Sequence, residues 1–411
     1  MRYIEMFAGI GGFRRGFDEA NGEFWKAKNQ EIAATRHQAI SIREASAGCG
    51  LRHNGDSSNH SAGNACLGLP PAEDKCFRAV WANDFDKYAC AIYRRHYGDK
   101  ELFEGDIRTV DPASIPDADL LAGGFPCQTF SIAGKRRGFE DTRGTLFFEI
   151  CRILRVKRIK YLLLENVQGL LSHAQGNTFE VILESLDELG YDCQWCVLNS
   201  AGFGVPQHRD RVFIAGYIRE GPRPQIFPLK ESYKEDNELF AEGPQTGAIT
   251  ARRGEARSDG AYIIESARPI SIESAGQALL SPQDASSGEI REPKLKKGSL
   301  RQIGNIDTKG NNSIRGRVYD PYVLAVNLNS GGGGLGAKTG LYLDKDVKIR
   351  RLTPMEGERL QGFEDFWTKE GIDKNGNVIQ LSDAQRYKCI GNAVTVNVIK
   401  AIGRKLMAEI R

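Results

Sequence analysis

Between residues 77 and 218 the sequence repeats one pattern. A short apolar run is followed by a loop carrying glycine or a carboxylate, and then by an amphipathic helical stretch. The apolar runs are Phe77–Ala82, Ala118–Ala122 and Tyr161–Leu164. The helical stretches place Tyr88, Ile92 and Tyr93, then Leu146, Ile150, Ile153 and Leu154 within Thr145–Val156, then Phe179, Ile182, Leu186 and Leu189 at helical spacing. Tyr3–Phe7 reads as one more strand at the start. Such alternation predicts an α/β fold, a mostly parallel sheet with helices packed on it. In such a sheet, reactive groups gather at the carboxyl ends of the strands.

The rhythm fails in two places. Residues from about Gly22 to Lys75 are rich in Ser, Asn, Gly and Ala, with helical potential only around Gln30–Ala45, and are expected to form a surface insertion. From about Arg219 to Lys348 short β-like runs, Tyr262–Ile264 and Tyr322–Asn327, alternate with Gly, Ser and Pro loops. This predicts a second, smaller, loop-rich β domain, in a chain whose 411 residues suffice for more than one core. The expected division is 1–220, completed by 388–411, against 221–387. Basic pieces in the second part (Arg252-Arg253, Lys294 to Lys297, Arg301, Arg315, Arg317) suit phosphate contacts.

The strand exits carry the chemistry. Ala8-Gly9-Ile10-Gly11-Gly12-Phe13 leads into a helix through Arg14 to Ala20, and glycines there let a backbone approach a ligand closely. The spacing is neither GxGxxG nor a P-loop, which favours a nucleoside-type cofactor; a plain tight turn is the alternative. Asn83-Asp84-Phe85-Asp86 puts an acidic residue where such folds bind ribose hydroxyls, with a helix N-cap as the other use, especially for Asp86. Gly105-Asp106-Ile107 is a third loop, able to reach an adenine edge.

Ala118–Ala122 runs into Gly123-Gly124-Phe125-Pro126-Cys127-Gln128-Thr129-Phe130-Ser131, which sets one thiol on a tightly shaped loop. Such a thiol attacks only as thiolate, beside cationic neighbours; a small buried cysteine is the alternative. Glu165-Asn166-Val167 ends an all-apolar strand with a carboxylate, either a site residue or a cap for the next helix. Arg209 and Arg211, on alternate positions before the strand Val212–Tyr217, would point to one side and grip an anion or base edge, or else form a surface ion-pair strand. Pro354–Gln361 reads as a helix, and Gly391-Asn392-Ala393-Val394 is expected to open a terminal one.

Net charge is +3, from 56 basic and 53 acidic residues, and neither demands nor excludes a polyanionic partner. Nine cysteines without a signal peptide fit a reducing cytosol, and no run is apolar enough for a membrane span. Cys193 and Cys196 lie three apart in the strand Asp192–Asn199, on opposite faces, and read as structural. Cys49, His53, His60 and Cys66 match no common zinc spacing and read as part of a solvated loop, so no metal is expected.

Taken in order, Phe7-Ala8-Gly9-Ile10-Gly11-Gly12, Gly124-Phe125-Pro126-Cys127-Gln128, Glu165-Asn166-Val167, Gln207 with Arg209 and Arg211, Arg350 to Phe363, and Gly391-Asn392 resemble the motifs of the DNA (cytosine-5)-methyltransferases. The resemblance covers about 1–20, 77–218 and 315–411. It implies a Rossmann-like S-adenosylmethionine-dependent methyltransferase sheet with a target recognition domain in the variable segment. Implied cofactor contacts fall on Phe7, Ala8, Gly9, Ile10, Gly12, Asp84, Phe85, Asp106, Ile107, Pro126, Leu146, Asn392 and Val394. Family members commonly carry Glu where Asp84 stands, and Asp-Leu where Glu5-Met6 stands.

The implied chemistry uses Cys127 as nucleophile at C6 of a flipped cytosine, Glu165 on its N3 and amine edge, and Arg209 and Arg211 on its carbonyl and a phosphate. Asn166 and Pro126 fix the loop geometry, and Gln128 is counted with the catalytic set. The implied partner is double-stranded DNA, with a cognate restriction endonuclease acting separately, and the enzyme is expected to be a monomer in a prokaryotic cytoplasm. A tRNA cytosine methylase shares these motifs but usually lacks so large a variable segment. A non-catalytic DNA-binding protein and a small-molecule methyltransferase are the remaining rivals.

Overall fold

The computed structural model describes residues 1–27, 30, 76–126, 146–229, 246–249, 302–305, 317–319, 325, 327–328, 341–343 and 349–410. In chain order these form β1 (Arg2–Met6), α1 (residues 12–27), β2 (Arg78–Asp84), α2 (Lys87–Tyr97), β3 (Leu102–Glu104), β4 (Leu120–Gly124), α3 (Leu146–Lys157), β5 (Tyr161–Val167), α4 (Asn177–Glu188), β6 (Tyr191–Asn199) and β7 (Asp210–Ile218). Then come β8 (Thr246–Ile249), β9 (Gln302–Asn305), β10 (Arg317–Tyr319), β11 (Leu341–Leu343), β12 (Ile349–Arg350), α5 (Pro354–Leu360), β13 (Glu370–Ile372), β14 (Val378–Gln380), α6 (Asp383–Asn392) and α7 (Val396–Glu409).

The main sheet has the order β3-β2-β1-β4-β5-β7-β6-β8. Its first five strands are parallel, and β7 runs antiparallel between β5 and β6. The chain starts at β1, moves outward to β3, and then returns to the far side as β4. The carboxyl ends of β1 and β4 therefore flank the point where strand order reverses, the usual ligand crevice of such sheets.

Both faces of the sheet are covered, which explains why the strands read as continuous apolar runs. On one face Tyr3, Leu120, Tyr161 and Leu163 pack under Phe13 and Phe17 of α1 and Val398, Ile399, Ile402 and Leu406 of α7. On the other, Ile4, Met6, Leu121, Leu162 and Leu164 pack under Phe147, Ile150, Ile153 and Leu154 of α3 and Ile182 and Leu186 of α4. Cys196 belongs to the first layer and Cys193 to the second, the opposite-face placement expected of their spacing. Neither forms a disulfide among the described residues, nor do Cys76, Cys90, Cys151 and Cys389.

Four local readings change. The first helix continues past Gly22 to residue 27, so the expected insertion does not start at Gly22. Thr246–Ile249, expected in the second domain, pairs with β6 at the edge of the main sheet. Gly391-Asn392 closes α6 rather than opening the last helix: Ala393 is extended (φ −69°, ψ 155°), and α7 starts at Val396. Glu165 caps no helix, because it lies inside β5, and the 3-10 turn after it is preceded by Val167 without a side-chain cap.

A separate sheet, β12-β11-β10-β9, lies in the segment expected to form the smaller β domain. Tyr262–Ile264, the quartet Cys49, His53, His60 and Cys66, and the basic pieces other than Arg317 lie outside the described residues. α5 follows, begun by a capping box in which Thr353 and Glu356 satisfy each other's orphan groups, with Pro354 in the first turn. No helix of the described residues is long and apolar enough to cross a membrane.

Candidate active site

β4 and β5 are hydrogen-bonded neighbours in register Gly124↔Glu165, so the loop after Gly124 leaves the sheet beside that carboxylate. A Cβ at residue 124 would lie 2.9 Å from Glu165 Oε2, so any larger residue there would push the carboxylate aside. Asn166 Nδ2–H donates to Phe125 O at 2.9 Å, and its own Oδ1 accepts from Val167 N at 2.8 Å. That amide fixes where the chain departs toward Pro126, which is exposed. Cys127 and Gln128 lie outside the described residues.

β7 completes this corner because it is antiparallel. Its amino-terminal end lies at the same edge as the carboxyl end of β5, with Arg211 paired to Val167 in register. Arg211 Nε meets Glu165 Oε1 at 3.0 Å, and the two side chains are 11% and 12% exposed. Burial raises the Glu165 carboxyl above the ordinary carboxylate range, and the positive charges of Arg211 and Arg209 pull against that. The result is a carboxyl that takes a proton more readily than usual yet stays anchored to a guanidinium.

Arg209 is used otherwise. β7 starts at Asp210, so the alternation that would align positions 209 and 211 does not reach Arg209. Its guanidinium is buried. NH1 donates to Asn327 Oδ1 (2.8 Å) and Leu328 O (3.2 Å), and NH2 donates to Gly391 O (3.2 Å) and Ala393 O (2.6 Å). The expected joint placement of the two arginines is not seen: Arg211 pairs with Glu165, while Arg209 ties the α6–α7 break to the residues around 328.

The second group of candidate residues lines the carboxyl ends of β1, β2 and β3. Phe7 (φ +57°) and Gly9 (φ +56°) turn the chain sharply out of β1. Gly9 N–H donates to Asp84 Oδ2 at 2.8 Å and Asp86 N–H to Asp84 Oδ1 at 2.8 Å. With Phe85 N–H as a third backbone donor, the carboxylate still keeps acceptor capacity for a hydroxyl, and burial raises this carboxyl too. Asp86 is the N-cap of α2 and pairs with Lys388 at 2.5 Å. Phe85 between them is 71% exposed, an apolar face open to a planar ring.

Val394 lies against Gly12, whose added Cβ would come within 2.7 Å of Val394 Cγ1. Phe7 and Leu146 both pack on the second core layer, as does buried Ile107. Asp106 caps the turn at Ile107 and is engaged by Arg108, and Asn392 is exposed at the end of α6. The donor set, a carboxylate with spare lone pairs beside an open aromatic face and a glycine-rich turn, fits a nucleoside cofactor.

Sequence reasoning missed Trp367. Its Nε1–H donates to Ile10 O at 3.1 Å, from a segment without helical or strand periodicity.

The sequence model for C-5 cytosine-specific DNA methylase matches residues 60–408. The chain belongs to that family, and it is a DNA (cytosine-5-)-methyltransferase. It is 34% identical over 328 residues to the Type II methyltransferase M.HhaI of Haemophilus parahaemolyticus, covering 79% of this chain and 85% of that one. It is 36% identical over 323 residues to M.NgoBI of Neisseria gonorrhoeae, covering 78% and 84%. Among solved structures it is similar in fold to a Dnmt2 methyltransferase of S. pombe (TM-score 0.53, 18% identity, 100% and 98% covered). The methyltransferase EhMeth of Entamoeba histolytica shares that fold (TM-score 0.52, 14% identity, 100% and 99% covered).

Proposed function

We propose that this methylase acts on cytosine C5 within a specific duplex sequence, taking the methyl from S-adenosylmethionine and forming a transient bond between Cys127 and C6 of a flipped-out base. The observation that carries the reading is the buried Glu165–Arg211 pair, set against Gly124 at the root of the loop that runs on to Pro126 and Cys127.

Cytosine C5 is a poor nucleophile and is stacked in the duplex, so the base has to be everted, at a few kcal/mol. Addition of the Cys127 thiolate to C6 converts the ring to an enamine whose electron density lies at C5. The electrons displaced from the C5–C6 bond move toward N3 and O2. Glu165, with its raised tendency to hold a proton, hydrogen-bonds N3 and the exocyclic amine as that charge develops. Arg211 faces the carbonyl O2 while remaining paired to Glu165, and its charge favours the thiolate. Once C5 is methylated, loss of its proton re-forms the double bond and releases the cysteine.

S-adenosylmethionine, when bound, supplies an electrophilic methyl on a sulfonium. The turn Phe7–Gly12, Asp84, Phe85, Asp106, Ile107, Leu146, Asn392 and Val394 would hold it, with Asp84 on the ribose hydroxyls. Arg209 acts as a positioning residue behind this site. Residues 221–387, apart from the strand Thr246–Ile249 in the main sheet and the core residues Ile226, Phe227 and Leu229, would serve as recognition domain and hinge. Its relatives carry the name Type II methyltransferase, and we assign this chain the same place: a monomer working on cytoplasmic DNA beside a separate restriction endonuclease.

Cys127→Ala is expected to abolish tritium transfer to duplex DNA while S-adenosylmethionine still binds, and 5-fluorocytosine in the target should trap the wild type covalently. Measurable transfer by the variant sinks the nucleophile assignment. Bisulfite sequencing of DNA from expressing cells reads out the target, and transfer to tRNA in place of duplex would redirect the substrate.

A further inference from the structure

Trp367 reaches the cofactor turn from the other end of the chain. Its indole is buried among Ile10, Ile92 of α2, Phe363 and Val396. His96, near the end of α2, stacks on it with ring centroids 3.6 Å apart and planes 4° from parallel, and the His96 ring nitrogen Nε2 lies 2.9 Å from Trp367 O. The indole N–H has one acceptor, Ile10 O, at 3.1 Å. Ile10 sits between Gly9 and Gly11, both at positive φ (+56° and +81°); Gly9 N–H is tied to Asp84 and Gly11 N–H to Ala8 O, and Trp367 adds a restraint from a distant part of the chain.

The backbone that presents Trp367 is itself held. Phe366 adopts φ +64°, an unfavourable conformation for a side chain of that size, although its ring is 57% exposed and makes no core contact that would explain it. The fully buried Glu358 of α5 accepts from Phe366 N (2.8 Å), Thr368 N (2.8 Å), Thr368 Oγ1 and Arg386 (2.9 Å). A buried carboxylate thus holds the N–H groups of residues 366 and 368, on either side of Trp367, and keeps the strained turn in place.

We propose that Trp367 is a positioning residue for the cofactor turn: through Ile10 O, the Glu358–Arg386 brace sets the shape of Ala8–Gly12 before the cofactor arrives. The brace belongs to the segment following the four-stranded sheet, so one hydrogen bond links that part of the chain to the turn. The inference builds on the cofactor assignment made above.

Trp367→Phe keeps an aromatic ring against His96 and Phe363 and deletes the N–H, along with part of the buried ring system. Exchange at Ala8–Gly12 is therefore compared with exchange in β4 and β5, to separate a local effect from a global one. In the cofactor-free protein, amide hydrogen exchange across Ala8–Gly12 should speed up roughly three- to tenfold relative to wild type, the loss of one neutral hydrogen bond. The dissociation constant for S-adenosylmethionine, by calorimetry, should rise by a similar factor, with KM for DNA and kcat within about twofold. Exchange across 8–12 that is unchanged overturns the proposal, whatever the activity. A wild type that binds no S-adenosylmethionine would refute the cofactor assignment, while faster exchange in the variant would still establish the contact. A fall in kcat with cofactor affinity intact counts against positioning at this turn.

Discussion

Removing the Arg209 guanidinium would take away the donor to the carbonyls of Leu328, Gly391 and Ala393 and to the Asn327 amide oxygen, leaving Ala393 O only a long bond from Gln361. Arg209→Ala should therefore lower unfolding stability by about 3 kcal/mol or more in a urea titration. Arg211→Ala removes the partner of Glu165 at the site, and is expected to lower kcat about a hundredfold or more with a smaller stability loss. Equal stability of Arg209→Ala and wild type, or full turnover by Arg211→Ala, would contradict the division of labour. Glu5 offers a test by pH. It is fully buried on β1 and its carboxyl is pushed up to about 8, first by burial and then by Asp18 and Asp84, against the pull of Arg14. Its folded value exceeds the ordinary 4.5, so the stability it contributes is complete below 4.5 and is lost as pH rises through about 8. Within that window the loss approaches about 1.4 kcal/mol per pH step. Glu5→Gln cannot ionise and should flatten the profile; parallel slopes for variant and wild type between pH 5 and 8 would show that Glu5 does not set it.

At the scale of elements, the approach of β4 to β5 shapes the site. Gly124→Ala should fold normally, yet its methyl would press on Glu165 Oε2 and shift the carboxylate. A displacement near 1 Å in such a site lowers kcat on the order of a hundredfold; kcat equal to wild type at unchanged Tm would refute the contact. This element was largely legible in the sequence, because apolar runs ending in Gly-Gly or Glu-Asn mark strand exits whatever packs around them. The Val212–Tyr217 strand was legible too, but its antiparallel insertion between β5 and β6 was not, since pairing direction is decided by distant partners. The same holds for Arg209, which reads as a surface cation until the carbonyls of Leu328, Gly391 and Ala393 close around it. The helix break at Ala393 escaped notice because Val394, Val398 and Ile402 keep their spacing across it.

Taken whole, the molecule joins two sets of residues at neighbouring strand ends: a glycine-rich turn with a buried carboxyl at β1 to β3, and a paired carboxyl and guanidinium at β5 and β7. Membership of the cytosine methylase family rests on a match across residues 60–408, and the described residues within it form strand ends at which both sets meet. One arrangement has a further consequence. The layer that covers Tyr3, Phe17 and Phe77 is supplied by α7, whose Val398, Ile399, Ile402 and Leu406 are made almost four hundred residues after β1. On the ribosome, that greasy patch stays bare until translation has passed residue 409 and the helix clears the exit tunnel. A nascent chain cannot become a finished enzyme piecemeal, and a transcript cut short before α7 yields a sticky, inactive product rather than a small methylase.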